Sequence, residues 1–309
     1  MSSTAFITHP NCLLHEMGDE HPESPARLHA IQDGLIQFGL ADFILNIPSQ
    51  KVSKDLLKQT HTPRHVEQIE QFSPPKGQYF PVDDETKMNH ASFEAALFSA
   101  GAGIVAIDGL FNQKFKNAFC AVRPPGHHAE KDQAMGFCLF NNIAVAATYA
   151  KEQYNLTRIA ILDFDVHHGN GTEDILKNDP AILFLSSYQY PFYPYTIPKK
   201  AAENCLHYPL PAGTDSQTFR QCYAERVLPE LQKFAPELIL ISAGFDGHHT
   251  DPLADWDLLD SDYSWLTQQI MDIADTCCDG KIVSFLEGGY SLSALRTGAI
   301  AHIKTLMKI

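Results

Sequence analysis

The chain has 309 residues, a formal net charge of −14 and an isoelectric point near 5.4. Hydrophobic residues make up 44% and charged ones 19%, ordinary proportions for a globular chain with a sizeable core. So acidic a surface repels a phosphate backbone, which excludes direct nucleic-acid binding and favours cationic ligands.

The opening MSSTAFITHP has neither the basic start nor the long apolar run of a signal peptide. No stretch approaches the roughly 18 uninterrupted apolar residues of a membrane span, so no membrane association is expected. Seven cysteines form no C-x-x-C pair, and Cys277 adjoins Cys278, which predicts buried thiols in a reducing cytoplasm. Any metal must then be held by histidines and carboxylates.

No repeat or linker divides the chain, so one domain is expected over 1–309. Short β-branched or apolar runs alternate with longer amphipathic ones, the pattern of an α/β fold with a parallel sheet covered by helices. In chain order, a strand over 3–8 precedes a helix over 25–38, opened by Ser24-Pro25 and closed at Gly39. Thr62-Pro63 opens a helix over 63–71. A surface loop follows over 72–90, with three prolines and the acids Asp83, Asp84 and Glu85. Then come a helix 91–109, a strand 117–122, a helix 141–153 and strands 158–164 and 181–187. A loop over 188–216, with five prolines, leads to a helix 217–234 and a strand 237–242. A helix 260–277, a strand 281–286 and a helix 292–307 complete the chain.

The chemistry sits after the strands. NAFCAV runs into RPPGHHAE, RIAILDFD into VHHGNGT, ELILIS into AGFDGHH, and KIVSFL into EGGY. Ligands of open α/β sheets bind beyond the carboxyl ends of the strands, so four strands converge on one rim. Alternation puts Asp163, Asp165 and His167 on one side, and Asp246 adds an acid from another strand. Two carboxylates and one imidazole suit a catalytic metal with an open position. Taken alone, either acid would equally serve as a helix cap. A ureohydrolase-type pair of metals needs further carboxylates where Gly169 and His248 stand, so one metal is expected. His127 and His128 on a Pro- and Gly-stiffened turn suit general acid–base work, and Tyr290 after two glycines suits hydrogen bonding to a developing oxyanion. The acids 83–85 are either an ordinary solvated face or a rim that grips a peptide backbone or a distant ammonium, with Asp83 the candidate substrate-binding residue.

RPPGHHAE, GFCLFNN, ILDFDVHHGNGT, SAGFDGHHTDPLA and LEGGY resemble, in order, the signature blocks of zinc-dependent histone deacetylases and their bacterial deacetylase-like and acetylpolyamine amidohydrolase relatives. The resemblance runs from HPESPARL near the start to LEGGY near the end. It implies the arginase–deacetylase fold, with about eight mostly parallel strands between helices. Asp165, His167 and Asp246 resemble the ligands of one catalytic Zn²⁺. His127 and His128 resemble the tandem acid–base histidines, with His128 the general base, Asp163 the acid orienting His127, and Tyr290 the residue that polarises the acetyl carbonyl. Gly136, Phe137 and Tyr193 resemble the walls of a narrow tunnel. The backbone of Asp163, Asp165 and His167 with the Ser186 hydroxyl resembles a structural K⁺ site. Asn170 stands where class I enzymes carry aspartate, which is the class II pattern. The resemblance implies deacetylation of acetyl-lysine in peptides or proteins, with an acetylated polyamine as the alternative substrate. An acyl-amine binder without catalysis is the reading from another class. The oligomeric state is not written in these motifs.

Overall fold

The computed structural model describes residues 4–195 and 201–309; residue 3 of the expected first strand and 196–200 of the expected loop lie outside them. Among the described residues there are ten strands: β1 (Thr4–Thr8), β2 (Leu45–Pro48), β3 (Phe80–Pro81), β4 (Lys87–Met88), β5 (Asn117–Cys120), β6 (Ile159–Asp163), β7 (Ile182–Gln189), β8 (Cys205–Leu210), β9 (Leu238–Ala243) and β10 (Ile282–Leu286). Eight of them form one sheet in the order β2-β1-β5-β10-β9-β6-β7-β8, every neighbouring pair parallel. The central strands are apolar runs buried on both faces, as parallel strands sandwiched between helices must be.

The helices are α1 (Ala26–Gln37), α2 (Lys54–Thr60), α3 (Pro63–Gln71), α4 (Ser92–Phe111), α5 (Asn142–Tyr154), α6 (Asn170–Leu176), α7 (Ser216–Cys222), α8 (Leu228–Phe234), α9 (Asp260–Cys277) and α10 (Leu292–Leu306). Helices α1, α9 and α10 pack together as one group, and α4 with α5 as another. A smaller apolar cluster, with Val52, Leu57, Val66 and Phe140, joins α2 and α3 to α4 and α5. By length and composition α4 could cross a membrane, but 67% of its apolar window is buried inside the protein, as in a core helix.

The six expected strands and the expected parallel sheet are all present. The sequence missed the edges. The stretch 188–216 is not one loop: it contains β8, which pairs only with β7, so Pro209 costs no ladder hydrogen bond on its free side. The other edge strand, β2, is only four residues long and mostly exposed, too short for its alternation to stand out. The loop 72–90 closes on the short antiparallel pair β3–β4. The helix expected over 217–234 is broken by a π turn at Tyr223–Val227, where the Leu228 N–H bonds back to the Tyr223 carbonyl. Pro229 lacks an N–H, and its ring would crowd a regular turn before it, so the helix widens there.

Candidate active site

Four adjacent central strands, β5, β10, β9 and β6, end at the same rim. Beyond β6 and β9, donor atoms of Asp165, His167 and Asp246 lie within 4.8 Å of one another. His167 Nδ1 is 3.1 Å from Asp165 Oδ1 and 3.2 Å from Asp246 Oδ2. Backbone amides fix both carboxylates: Gly288 N–H donates to Asp165 Oδ2 at 2.8 Å, and Val166 N–H donates to Asp246 Oδ1 at 3.1 Å. Gly288 and Gly244 permit this approach, since a Cβ would lie 1.9 Å from Asp246 Oδ2 at the first and 2.0 Å from Asp165 Oδ2 at the second. His248, by contrast, faces Thr250 Oγ1 at 3.0 Å and stands apart from this set.

Beyond β5, His127 and His128 lie side by side, ring centroids 4.0 Å apart and planes inclined by 45°. Their second nitrogens meet different partners. His127 Nδ1 is 3.0 Å from Asp163 Oδ2, whereas His128 Nδ1 is 2.8 Å from Asn170 Oδ1. The Asn170 amide donates onward to Glu130 Oε1 at 2.8 Å.

The surroundings shift the two imidazoles in opposite directions. Burial alone would lower the pKa of His127, but Asp165 and Asp163, with Glu287 behind them, push it up to about 10. Burial and the positive charges of His127 and His167 hold His128 well below the usual imidazole value. His167 is pushed up to about 10, because bonds to Asp165 and Asp246 outweigh its burial. The shift reflects two buried carboxylates that favour a positive charge beside them. Burial opposes ionisation of Asp165 as well, yet His127 and His167 hold its carboxyl well below the ordinary range. Tyr290 is raised well above its usual value by burial, with Arg27 opposing, so its phenol stays a hydrogen-bond donor.

A cavity of about 400 Å³ leads to these groups, lined by His128, His167 and Tyr290 at depth and by Gly136, Phe137 and Tyr193 along its walls. Gly136 and Phe137 both take left-handed backbone (φ 55° and 68°), and a Cβ at Gly136 would meet His128 Cδ2 at 2.5 Å. The Tyr193 ring stands edge-on to His128 at 5.1 Å. Of the three acids 83–85, the structure brings Asp84 and Glu85 to the mouth. Asp83, the residue expected to meet substrate, instead accepts bonds from the Glu85 and Thr86 amides and the Thr86 hydroxyl, which commits its carboxylate to the turn. Ser186 pairs in register with Asp163, and its hydroxyl lies 3.0 Å from His168 Nδ1.

Several supporting residues escaped the sequence. Glu287 accepts from the Gly126 and His127 amides at 2.7 and 3.1 Å and from the Ser242 hydroxyl at 3.2 Å, tying the histidine turn to β10 and β9. Asp251 accepts from the Tyr290 and Ser291 amides at 2.6 and 3.0 Å. Arg27 donates to the Gly289 and Glu287 carbonyls, and the fully buried Glu23 holds both Arg27 and Arg123. HPESPARL and RPPGHHAE contained Glu23, Arg27 and Arg123, but only proximity in three dimensions reveals their pairing.

Comparison with known proteins places the chain in a family. The family model described as Histone deacetylase domain matches residues 21–306. An uncharacterized protein from Synechocystis sp. is 36% identical over 98% of this chain and 99% of its own length. A probable deacetylase from Archaeoglobus fulgidus is 35% identical over 94% of this chain and 82% of its own length. The crystal structure of the HDA15 HD domain superposes with a TM-score of 0.92 at 35% identity, covering 99% of this chain and 89% of that one. The sheet and its flanking helices are thus the arginase–deacetylase fold, and the chain belongs to the histone deacetylase family.

Proposed function

We propose that this chain is a zinc-dependent amidohydrolase that removes acetyl groups from N-acetylated amines, with acetyl-lysine in peptides or proteins as its substrate. The observation that carries the reading is the junction of a carboxylate–imidazole–carboxylate set with a tandem histidine pair, one held by Asp163 and one by Asn170, at the end of a single cavity. Asp165, His167 and Asp246 are the donor set for one metal; their mixed O and N atoms, held by backbone amides and approached by Gly244 and Gly288, fit Zn²⁺. A zinc ion bound there supplies Lewis acidity, which acidifies water and polarises a carbonyl.

The protein groups do the rest. Neutral His128 takes the proton from the attacking water as its oxygen bonds to the acetyl carbon. Tyr290 donates a hydrogen bond to the carbonyl oxygen as charge develops on it. Cationic His127, held by Asp163, supports that charge by its field, and a protonated imidazole of the pair returns a proton to the departing nitrogen. The C–N bond breaks, leaving acetate and a free amine. Gly136, Phe137 and Tyr193 shape the passage around the acyl-bearing chain.

The acid pair Asp84 and Glu85 at the mouth favours one alternative, an acetylated polyamine whose distal ammonium would meet those carboxylates. A binder without catalysis has no need of His127, His128 and Tyr290 together. A structural K⁺ held by the Asp163, Asp165 and His167 backbone with the Ser186 hydroxyl belongs to the same proposal. So does a cytoplasmic setting, which seven unpaired cysteines support. Acetate release by the zinc-loaded protein from an acetyl-lysine peptide and an acetylated polyamine, compared as kcat/KM, tests the reading. Preference for the peptide supports it, and preference for the polyamine replaces the substrate. Absence of acetate from both, with zinc bound, overturns it.

A further inference from the structure

His168 follows the proposed ligand His167 directly, yet its ring points elsewhere. Its Nε2 lies 2.8 Å from Glu173 Oε2, and His207 Nε2 lies 3.2 Å from the other oxygen, Glu173 Oε1. The three donor sets fall within 4.8 Å of one another. They come from three places: the turn after β6, helix α6 and edge strand β8. His168 and Glu173 are buried, and the His207 side chain is only 13% exposed.

The far nitrogens are also fixed. His168 Nδ1 is 3.0 Å from Ser186 Oγ, and His207 Nδ1 is 3.0 Å from the Tyr188 hydroxyl. Ser186 and Tyr188 stand two residues apart on β7, so both rings are aligned by one strand. A hydroxyl that accepts the Nδ1 proton leaves Nε2 with its lone pair, which is how metal-binding histidines are held. Both lone pairs then face the same carboxylate, with the ring centroids 4.8 Å apart. Ligand atoms bonded at about 2.1 Å in a tetrahedron lie about 3.4 Å apart, near the 2.8 and 3.2 Å from the two histidines to Glu173. Glu173 also forms part of the wall of a surface hollow of about 840 Å³.

We propose that His168, Glu173 and His207 form a second site for a divalent transition metal of the zinc class, separate from Asp165, His167 and Asp246. Two imidazoles and a carboxylate favour such an ion over Mg²⁺ or Ca²⁺, which take oxygen ligands. Its role is structural. It fastens edge strand β8 to α6, whose first residue, Asn170, holds His128.

The test is zinc stoichiometry on the full chain, stripped of metal and dialysed against buffered zinc. Wild type should retain two equivalents. His207→Gln and Glu173→Gln should each retain one equivalent. Asp246→Asn should also retain one, and His207→Gln with Asp246→Asn none. Zinc should raise the melting temperature of Asp246→Asn but not that of the double variant, a readout independent of activity. One equivalent in wild type that is lost with Asp246→Asn and kept with His207→Gln would mean the cluster is a hydrogen-bonded triad and overturns the second site. Two equivalents in His207→Gln overturn it equally. Because the two sites are emptied by different variants, failure of one is distinguishable from failure of the other.

Discussion

His128 Nδ1 lies 2.8 Å from the Asn170 side-chain oxygen, so the imidazole proposed as base leans on a neutral amide. The amide is oriented by its own donor bond to Glu130, whose carboxyl pKa is raised by burial. Asn170→Asp would set a carboxylate against the ring and favour its protonated form. The acid limb of the kcat/KM profile should move up by about one pH unit or more. Glu130→Gln in the same chain restores a donor to the new carboxylate and separates the charge effect from repulsion between two acids. An unmoved acid limb in both variants would show that Asn170 does not set the protonation of His128.

The phenol of Tyr290 touches the aromatic wall, with its ring 5.9 Å from Phe137 and edge-on, and the Arg27 guanidinium stacks over it at 5.1 Å. Its backbone is anchored separately, by the amide bond to Asp251. Tyr290→Phe therefore keeps the ring and its anchor while removing one hydrogen-bond donor. Turnover should fall by roughly 10²-fold or more with KM little changed, since the bond matters as oxyanion charge develops. Zinc content measured on the same preparation should equal that of wild type. Near-normal turnover would refute the assigned role.

What the sequence made legible follows from how far each signal travels along the chain. Asp165, His167, His127, His128, Asp246 and Tyr290 each stand directly after a buried apolar strand, so local patterning and strand polarity were enough to gather them. Glu287 was equally visible in LEGGY, but its partners are the amides of Gly126 and His127, about 160 residues away. Asp83 misled for the opposite reason: a run of three acids reads as one rim, whereas an Asx-type turn takes the first and leaves the next two at the mouth. Edge strand β8 was hidden because its prolines, Pro209 within it and Pro211 just beyond, look like loop residues unless the strand is known to have only one neighbour. The seven-residue α6 was hidden by an opening Asn-Gly that reads as a turn.

Gly288 offers a steric test of the proposed metal set. A methyl group there would sit 1.9 Å from Asp246 Oδ2 and 2.7 Å from Asp165 Oδ2, so both carboxylates must move. The Gly288 amide also holds Asp165 directly. Gly288→Ala should weaken zinc binding at that set by at least about tenfold, as loss of groups that orient metal ligands does. Competition against a chelator measures this, with circular dichroism confirming the fold. Unchanged zinc affinity and activity would show that Asp165 and Asp246 do not hold the metal together.

Acid should destabilise the fold through three histidines remote from the metal ligands. Burial lowers the pKa of His15, His61 and His302 to about 3 each, and at His302 it is the sole cause. In the unfolded chain each titrates near 6.5, so between these values the unfolded state binds more protons than the folded one. Stability is therefore fully present above about pH 6.5 and is lost progressively as pH falls toward about 3. Each histidine contributes a slope of about 1.4 kcal/mol per pH unit, about 4 kcal/mol per unit for the three. His302 packs against Phe119, Phe164 and Phe245, and its nitrogens meet Thr267 Oγ1 at 2.6 Å and Ser284 Oγ at 2.8 Å. His302→Gln keeps polar contacts to those hydroxyls while removing one titrating group. Urea unfolding of the chelated protein at about pH 7 and about pH 5.5 should show a loss of stability smaller by about 1 kcal/mol in that variant. Equal losses in the two proteins would mean that His302 already carries its proton in the fold, and the cause of acid lability would lie elsewhere.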